Sequence, residues 1–315
     1  MKAQLFFQKV DHAFPYAFSS DRFAQYMNPF SFRKRITVPS LAVMTGGTGG
    51  IGCEIARLLL EQGWDVLLLT RQPHKAEELI SRRNGRFEAV FCDLTEPSNL
   101  QAVCATILQR RQPIGLLIHC AGKIQPELTK DITQSSLEEQ MAINLTSPIL
   151  LTTQLLPALS PNGHIIFVNS IAGVMPLQGS SVYSATKFGL RGFARSLALE
   201  YRPESIRISS IFLGAVDTEM LQQETRDGGS VLNFVNKPLS AHSVASMIIR
   251  TSEGKGREVF LPRIDGIFAH ACLMMPWLLR LSTPLLEKIG QIGLQRFLKH
   301  KATASSVIHK DQDPC

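Results

Sequence analysis

The sequence predicts a single-domain α/β fold built on a doubly wound parallel sheet. Short apolar runs alternate with helical patterns over residues 40–263, as is typical of parallel strands joined by right-handed crossovers. The predicted strands cover residues 40–46, 65–70, 87–91, 116–119, 164–169, 206–212 and 258–261. After a first helix that starts near residue 50, helical patterns cover residues 73–84, 97–110, 136–157, 181–202 and 240–252. Ligands of such sheets bind beyond the carboxyl ends of the strands.

The first strand runs into a glycine-rich turn, residues 45–52, which is followed by a helical pattern ending near Gly63. A strand, a glycine turn and a helix in this order are the context of a dinucleotide fingerprint. Gly46 would permit the tight turn, Gly50 would let the backbone approach a pyrophosphate, and Gly52 would allow close helix packing. The phosphates would lie at the helix N-terminus, where amides and the helix dipole favour anions. The turn residues assigned to cofactor binding are Thr45, Gly46, Thr48, Gly50, Ile51 and Gly52.

The end of the second predicted strand bears on the choice of cofactor. NAD-binding folds place an acidic residue about 20 residues after the glycines to bind the ribose 2′-hydroxyl, whereas a nearby arginine accommodates a 2′-phosphate. Thr70 ends this strand and Arg71 follows it, while Asp65 stands at the opposite end. The sequence therefore favours NADP(H) over NAD(H). The alternative is that Arg71 is simply solvated.

A tyrosine and a lysine four residues apart form the centre of the predicted catalytic site. On a helix, Tyr183 and Lys187 lie on one face, roughly 6 Å apart. A lysine ammonium favours the phenolate, so we expect it to lower the tyrosine pKa from about 10 toward the working range. Ser170, at the end of a predicted strand, would hydrogen-bond the reacting oxygen. Because such pairs are common, the assignment depends on the nucleotide site upstream.

Taken together, these motifs resemble the short-chain dehydrogenase/reductase family, in its compact NAD(P)-dependent branch. The resemblance covers about residues 40–263, and residues 45–52 match the family's Thr-Gly-x-x-x-Gly-x-Gly. The residues that match its catalytic tetrad are Asn144, Ser170, Tyr183 and Lys187. Beyond the glycine turn and Arg71, the resemblance implies cofactor contacts at Asp93, Leu94, Cys120, Ala121, Gly122, Tyr183, Lys187, Gly214, Val216 and Thr218.

The resemblance implies reversible hydride transfer between a nicotinamide and a carbonyl or secondary alcohol. Tyr183 would act as the acid or base, Ser170 would bind the substrate oxygen, and Lys187 would hold the nicotinamide ribose and lower the tyrosine pKa. Asn144 would anchor a water that links Lys187 to solvent. Reduction is the expected direction with NADPH.

Two segments depart from the family pattern. Residues 119–122 read His-Cys-Ala-Gly where the family has Asn-Asn-Ala-Gly, and Leu213 replaces a proline before Gly214. A buried thiol after a strand is more often inert packing than a nucleophile, so Cys120 is not expected to be catalytic. Leu213 affects the expected geometry of the substrate loop, which we place in residues 216–238.

Composition limits the other functions. Six Cys among 315 residues, with no Cys-x-x-Cys pair, predict neither a disulfide framework nor a metal site. Polar residues interrupt the N-terminus before any long apolar run, so we expect no signal peptide and a cytoplasmic setting. The basic residues do not form a recognised nucleic-acid reader, so nucleic acid is not an expected partner. The resemblance implies a homo-oligomer, either a dimer or a tetramer.

The net charge of +7 lies entirely in two extensions that flank the predicted catalytic region. Residues 1–39 hold six Lys/Arg and two Asp/Glu, residues 266–315 hold six and three, and residues 40–265 hold 21 of each. We therefore divide the chain into an aromatic, basic arm over residues 1–39, a catalytic domain over 40–263 and an apolar, basic extension over 264–315.

Both extensions are rich in apolar residues. The apolar run over residues 267–279 is short for a transmembrane helix and contains Pro276, whereas a basic amphipathic segment with Trp277 suits a membrane surface. The alternatives are that the extensions pack on the core or build a dimer interface.

Several functions remain open from the sequence. A hydrophobic entrance formed by the extensions would suit a lipophilic ketone, such as an acyl, sterol or retinoid-like carbonyl, although one site plan serves many substrates in this family. The alternatives are an NAD-dependent alcohol dehydrogenase, a non-catalytic NADP-binding protein, and a peripheral membrane protein whose core is a structural platform.

Overall fold

The computed structural model describes residues 41–80, 86–201 and 205–310, with side chains except at residues 79 and 302–310. The strands are β1 (Leu41–Thr45), β2 (Asp65–Thr70), β3 (Phe87–Phe91), β4 (Ile114–His119), β5 (Leu159–Ser170), β6 (Ile206–Leu213), β7 (Val216–Asp217), β8 (Leu239–Ser240) and β9 (Glu258–Leu261). Seven of them form a parallel sheet in the order β3-β2-β1-β4-β5-β6-β9, and β7 pairs separately with β8. The predicted α/β fold with a doubly wound parallel sheet is confirmed.

Helices cover both faces of this sheet. They are α1 (Gly50–Glu61), α2 (Pro73–Ile80), α3 (Pro97–Gln109), α4 (Gln134–Met141), α5 (Ser147–Leu155), α6 (Ser181–Glu200), α7 (Glu219–Arg226), α8 (Ala241–Glu253), α9 (Arg263–Met274) and α10 (Pro276–Lys310). Apolar side chains of α1, α2 and α8 join one core cluster, and those of α3, α5 and α6 join another.

The buried strand β1 shows why the sheet needs cover on both faces. Ala42 and Met44 belong to the cluster under α1 and α8, whereas Leu41 and Val43 belong to the cluster under α3 and α6. Successive side chains of a strand point to opposite faces, so a continuous apolar run stays out of water only between two helical layers.

The strand order places the functional edge of the sheet. The order reverses at β1, which has β2 on one side and β4 on the other, and a crevice forms at such a point beyond the carboxyl ends of the strands. Within two residues of successive strand ends at this edge are Gly46, Arg71, Asp93, Cys120, Ser170 and Gly214.

The helical pattern predicted over residues 136–157 is confirmed, but the helix is irregular at its centre and at its end. The structure has α4, a π turn over Ala142–Thr146, α5 and a 3-10 turn over Leu156–Ala158. Pro148 has no N–H, so the main-chain carbonyl of Asn144 cannot receive the usual helical hydrogen bond from four residues later. The apolar pattern continues through this point, and the backbone continues with a wider hydrogen bond from the Ser147 N–H to the Ala142 carbonyl.

The other elements agree with the sequence to within a few residues, except that β5 begins five residues before the predicted strand. The helix predicted over residues 73–84 corresponds to α2, and residues 81–84 lie outside the described residues. The helix predicted over 181–202 corresponds to α6, and residue 202 also lies outside them. The substrate loop, residues 216–238, contains the short helix α7.

The C-terminal extension forms the helices α9 and α10. Ala269 and Cys272 on α9 join Phe212 and Val174 in a third apolar cluster. One side of α9 therefore packs on the core, as one of the alternatives for the extension expects. None of the helices in the described ranges is long and apolar enough to cross a membrane. The arm over residues 1–39 lies outside the described residues.

A buried histidine, His119, ends β4. Its side chain stacks on Phe167 with ring centroids 5.0 Å apart, and its Nε2 atom lies 2.9 Å from the Thr152 hydroxyl. Burial lowers the pKa of His119 to about 3. The ring is therefore neutral in the folded protein at neutral pH, although an unfolded histidine has a pKa of about 6.5.

We expect His119→Asn to make folding less sensitive to acid. Below pH about 6.5 the unfolded wild-type chain gains a proton at this residue that the folded chain does not gain until pH about 3, so stability falls as the pH falls through this window. Between pH about 7 and about 4.5, the free energy of unfolding should fall by about 2–3 kcal/mol less in the variant than in wild type. Urea denaturation at the two pH values measures this.

The matched control is His74→Asn, because the His74 side chain is 98% exposed. That variant should keep the pH dependence of wild type. Equal acid sensitivity of His119→Asn and wild type would contradict the assignment of a neutral, buried imidazole.

Candidate active site

Two adjoining cavities lie at the carboxyl edge of the sheet. The tyrosine cavity, of about 610 Å³, is lined by Ser170, Tyr183 and Lys187. The glycine-turn cavity, of about 560 Å³, is lined by Gly46 and Arg71, among others. The residues that line both cavities are Ile51, Cys120, Ala121, Gly122, Ile124, Thr218, Met220 and Glu224. Molecules bound in the two cavities would therefore meet along a common wall.

The structure brings together nearly all the residues predicted from the sequence. Those in the glycine-turn cavity alone are Gly46, Thr48, Gly50, Gly52, Arg71, Asp93 and Leu94. Those in the tyrosine cavity alone are Ser170, Tyr183, Lys187, Gly214 and Val216. Thr45 and Asn144 line neither cavity and lie behind them.

The glycine turn leaves no room for side chains at two positions. Gly46 has a φ of +75°, and a Cβ atom there would lie 2.5 Å from the Ala121 nitrogen. A Cβ on Gly52 would clash with the carbonyl oxygen of Gly46, because α1 begins directly against the turn. The Thr45 hydroxyl accepts a hydrogen bond of 3.2 Å from the Ala121 N–H and so joins β1 to the segment after β4. Glycine is therefore required at both positions for the turn to pack against the start of α1 and the segment after β4.

Arg71 and Asp93 stand on the wall of the glycine-turn cavity. The Asp93 carboxylate accepts hydrogen bonds from the N–H and hydroxyl of Thr95, and the N–H bond together with the nearby Arg71 charge lowers the pKa of this carboxyl. Arg71 is exposed and forms no ion pair with any residue in the described ranges. Lys75, four residues later, lines the same cavity and adds a second positive charge.

Tyr183 and Lys187 lie on the face of α6 that meets the cavity. The Lys187 Nζ atom lies 5.6 Å from the centre of the Tyr183 ring and donates a hydrogen bond of 3.3 Å to the Val168 carbonyl. A Cβ atom on Gly122 would lie 3.8 Å from the same Nζ atom, so Gly122 and Lys187 are neighbours on the cavity wall.

Ser170 is held by its neighbour Asn169, which the sequence did not single out. The Asn169 side chain accepts a hydrogen bond from the Ser170 N–H at 2.8 Å and donates one to the Lys187 carbonyl at 3.3 Å. The Ser170 hydroxyl accepts the Ala172 N–H at 3.1 Å. Asn169 thus fixes the end of β5 against α6, which carries the tyrosine and the lysine.

The expected lowering of the Tyr183 pKa is not found: the pKa is raised. Burial raises the pKa of Tyr183, a hydrogen bond with Ser170 opposes that rise, and the Glu224 charge adds to it. Burial lowers the pKa of Lys187 to about 8. The ammonium is directed to the Val168 carbonyl, and its attraction for a phenolate does not offset the burial of the phenol.

Asn144 lies in the π turn and is buried. Its side chain accepts a hydrogen bond from the Lys123 N–H at 2.8 Å and donates one to the Lys123 carbonyl at 2.7 Å. The side-chain amide is thereby committed to the loop after β4. Pro148 has no N–H, so the main-chain carbonyl of Asn144 lacks the hydrogen-bond donor that a regular helix would supply.

Cys120 stands beside Lys187 on the wall that the two cavities share. Burial raises the pKa of the Cys120 thiol to about 12, although the lysine charge opposes the rise. A thiol with this pKa stays protonated at neutral pH and is a poor nucleophile. Cys120 therefore contributes packing and backbone to the wall.

Part of the wall of the tyrosine cavity comes from the substrate loop, residues 216–238, and the C-terminal helices. Glu224 on α7 is buried, and its carboxylate accepts a hydrogen bond of 2.7 Å from Asn233; burial raises the pKa of this carboxyl. The Asp265 carboxylate on α9 accepts a hydrogen bond of 2.8 Å from Asn236, and burial raises the pKa of Asp265 also. Apolar residues on this wall include Leu221, Leu232, Ile264, Ile267, Phe268, Ala271 and Leu286.

Comparisons with known proteins identify the family of the chain. The family of short chain dehydrogenases matches residues 40–228, which is more than half of the chain. The chain therefore belongs to the short-chain dehydrogenase/reductase family, whose members bind a nicotinamide cofactor and act on carbonyl or alcohol groups.

Individual relatives cover most of the chain or of their own length. An NADPH-dependent 1-acyldihydroxyacetone phosphate reductase of Saccharomyces cerevisiae is 26% identical over 80% of this chain and 93% of its own. The 3-oxoacyl-[acyl-carrier-protein] reductase of Mus musculus is 29% identical over 56% of this chain and 75% of its own. A metagenomic short-chain oxidoreductase solved in complex with NADP is 25% identical, with a TM-score of 0.59 over 70% of this chain and 96% of that one.

Proposed function

We propose that this protein is an NADP(H)-dependent oxidoreductase that transfers a hydride reversibly between NADPH and a lipophilic ketone or secondary alcohol. The observation that carries the proposal is the convergence of Tyr183, Lys187 and Ser170 on one mainly apolar cavity that shares a wall with the glycine-turn cavity. Membership of the family indicates the class of reaction, and the apolar lining of the cavity indicates a lipophilic substrate.

The residues of the glycine-turn cavity fit a dinucleotide. Bare backbone at Gly46, Gly50 and Gly52 would hold the pyrophosphate at the start of α1, where no side chain caps the helix. Asp93 would hold the adenine side, and Lys187 the nicotinamide ribose. The other proposed contacts are Thr48, Ile51, Leu94, Cys120, Ala121, Gly122, Gly214, Val216 and Thr218. The bound nicotinamide supplies the hydride for reduction or accepts it in oxidation.

The protein's own residues handle the proton. In reduction, the Tyr183 hydroxyl donates its proton to the substrate oxygen as that oxygen gains charge, and the Ser170 hydroxyl hydrogen-bonds the same oxygen. Burial keeps the phenol protonated, and an alkoxide is a far stronger base than a phenolate, so the transfer is favourable. We propose that the main-chain carbonyl of Asn144 binds the water that links Lys187 to solvent, because the Asn144 side chain is already hydrogen-bonded to Lys123.

Two charges support NADP(H) over NAD(H). Arg71 and Lys75 both line the glycine-turn cavity near the end of β2, where a ribose 2′-phosphate would lie. Among the residues that the structure describes, Thr70 and Arg71 occupy this strand end, where an NAD-binding fold places an acidic residue for the 2′-hydroxyl. Relatives described as NADPH-dependent or solved with NADP are consistent with this choice.

The cavity wall supports a lipophilic substrate. Apolar side chains such as Leu221, Ile267 and Phe268 line the same cavity as Tyr183. Two relatives are named for acyl substrates, which agrees with a chain of methylenes in this space.

The proposed substrate class is tested with a series of methyl ketones of increasing chain length. NADPH oxidation is measured at each length, and we expect kcat/KM to rise by roughly two- to fourfold per methylene until the cavity is filled. A second series with aromatic ketones defines the width of the cavity. Rates that do not depend on chain length would contradict a lipophilic substrate while leaving the reductase activity in place.

The dimer or tetramer expected from the family and the cytoplasmic location remain predictions. Sedimentation of the full chain would decide the first, and fractionation of cells the second.

A further inference from the structure

The outer side of α9 and α10 exposes large apolar residues. Ile267 is 68% exposed, Met274 83%, Trp277 60%, Leu281 72% and Leu285 63%. On α10 the last three are spaced by four residues and so lie along one side of the helix. Exposed large apolar side chains that adjoin one another are typical of an interaction site.

This apolar surface begins at the mouth of the tyrosine cavity. Ile264 and Ile267 line the cavity and are also largely exposed, so they lie where it opens to solvent. Ala271 lines the cavity one turn further along α9, and Met274 continues the same side of the helix. The surface thus extends from the entrance of the active site to the start of α10.

Basic residues stand among the apolar ones on α10. Arg280, Lys288, Arg296 and Lys299 are exposed, whereas the only acidic residue in residues 276–301 is Glu287. Arg280, Lys288 and Arg296 form no ion pair with the residues that the structure describes. Lys288 follows Leu281 and Leu285 by seven and three residues and therefore shares their side of the helix.

The charge of the surface identifies its partner. The N-terminal arm, residues 1–39, has a net charge of +4, so covering the surface with it would bring like charges together. A second copy related by two-fold symmetry would place the same positive surface against itself. Anionic lipid headgroups complement the lysines and arginines, and the acyl region accepts Trp277 and the leucines.

We propose that the outer side of α9 and α10 docks on the surface of an anionic lipid bilayer, with the mouth of the tyrosine cavity facing the membrane. In this orientation Ile264 and Ile267 enter the interface beside the opening. A lipophilic ketone could then pass from the bilayer into the cavity without crossing water.

Flotation of the full chain with vesicles tests this docking. We expect binding to phosphatidylcholine vesicles that contain about a third phosphatidylglycerol, weak binding to phosphatidylcholine alone, and loss of binding as salt is added. Leu281→Glu should weaken the partition by at least about tenfold. Leu199→Glu is the matched control, because Leu199 is 89% exposed on α6, and it should bind as wild type does.

Tryptophan fluorescence gives a second measurement that needs no charge substitution. The chain has two tryptophans, and Trp64 packs against the core whereas Trp277 is exposed. Adding anionic vesicles should shift the emission to shorter wavelength, and Trp277→Phe should abolish the shift.

Three outcomes would overturn the proposal. One is equal binding of Leu281→Glu and wild type. Another is loss of binding only when Arg33, Lys34 and Arg35 are replaced by alanine, which would assign the membrane contact to the arm. The third is a change of oligomeric mass in Leu281→Glu with unchanged vesicle binding, which would assign the surface to self-association. Flotation does not depend on the proposed reductase activity, and turnover of a water-soluble ketone should be the same in Leu281→Glu and wild type.

Discussion

Replacing Tyr183 by phenylalanine should lower kcat/KM for ketone reduction by about a hundredfold to ten-thousandfold, the range expected for loss of a general acid. The phenylalanine ring fills the same space beside Lys187, so the cavity keeps its shape and only the proton donor is lost. NADPH affinity should therefore stay within about twofold of wild type. Initial rates and an NADPH fluorescence titration measure the two effects separately.

Tyr201→Phe is the matched control for this variant. Tyr201 lies just beyond the end of α6, packs against a core cluster and lines neither cavity, so its hydroxyl should be dispensable for turnover. If Tyr183→Phe reduced ketones as fast as wild type, Tyr183 would not be the general acid. If wild type bound NADPH but reduced no ketone, the non-catalytic NADP-binding alternative would be the better account.

Replacing Arg71 by alanine should weaken NADPH binding by roughly ten- to a hundredfold and leave NADH binding unchanged. A hydrogen bond to a charged group contributes about 1.5–3 kcal/mol, and the 2′-phosphate is present only in NADPH. Dissociation constants for both cofactors, measured by titration at one salt concentration, give the selectivity directly.

Arg195→Ala serves as the control, because Arg195 is exposed on α6 and lines neither cavity. Its effect on both cofactors should be small. Equal weakening of NADH and NADPH by Arg71→Ala would refute the phosphate contact and favour the NAD-dependent alternative. Lys75→Ala should reduce NADPH affinity less than Arg71→Ala, since a single ammonium lacks the bidentate geometry of a guanidinium.

The sequence predicts those parts of the site that follow from strand ends. Gly46, Arg71, Asp93 and Ser170 each follow or end an apolar strand, and parallel strands bring their carboxyl ends to one edge. Tyr183 and Lys187 are placed by helix geometry alone. These inferences need only local patterns and the rule that alternating strands and helices form a parallel sheet.

Other features depend on tertiary packing. Glu224 and Asp265 are 41 positions apart and belong to no local motif, so only the folded chain places both on the wall of the tyrosine cavity. The raised pKa of Tyr183 follows from its burial, which the spacing to Lys187 does not reveal. The π turn was within reach of the sequence, because Pro148 stands four residues after Asn144.

The most direct test of the proposed reaction follows a hydride from cofactor to product. NADPH that carries deuterium at the transferable position is incubated with a long-chain ketone and the full chain, and the alcohol is analysed by mass spectrometry. We predict one deuterium on the carbinol carbon of the product, at a rate that falls sharply in Tyr183→Phe. NADPH consumption without labelled alcohol, or no labelled alcohol from any ketone of the series, would contradict the proposed function.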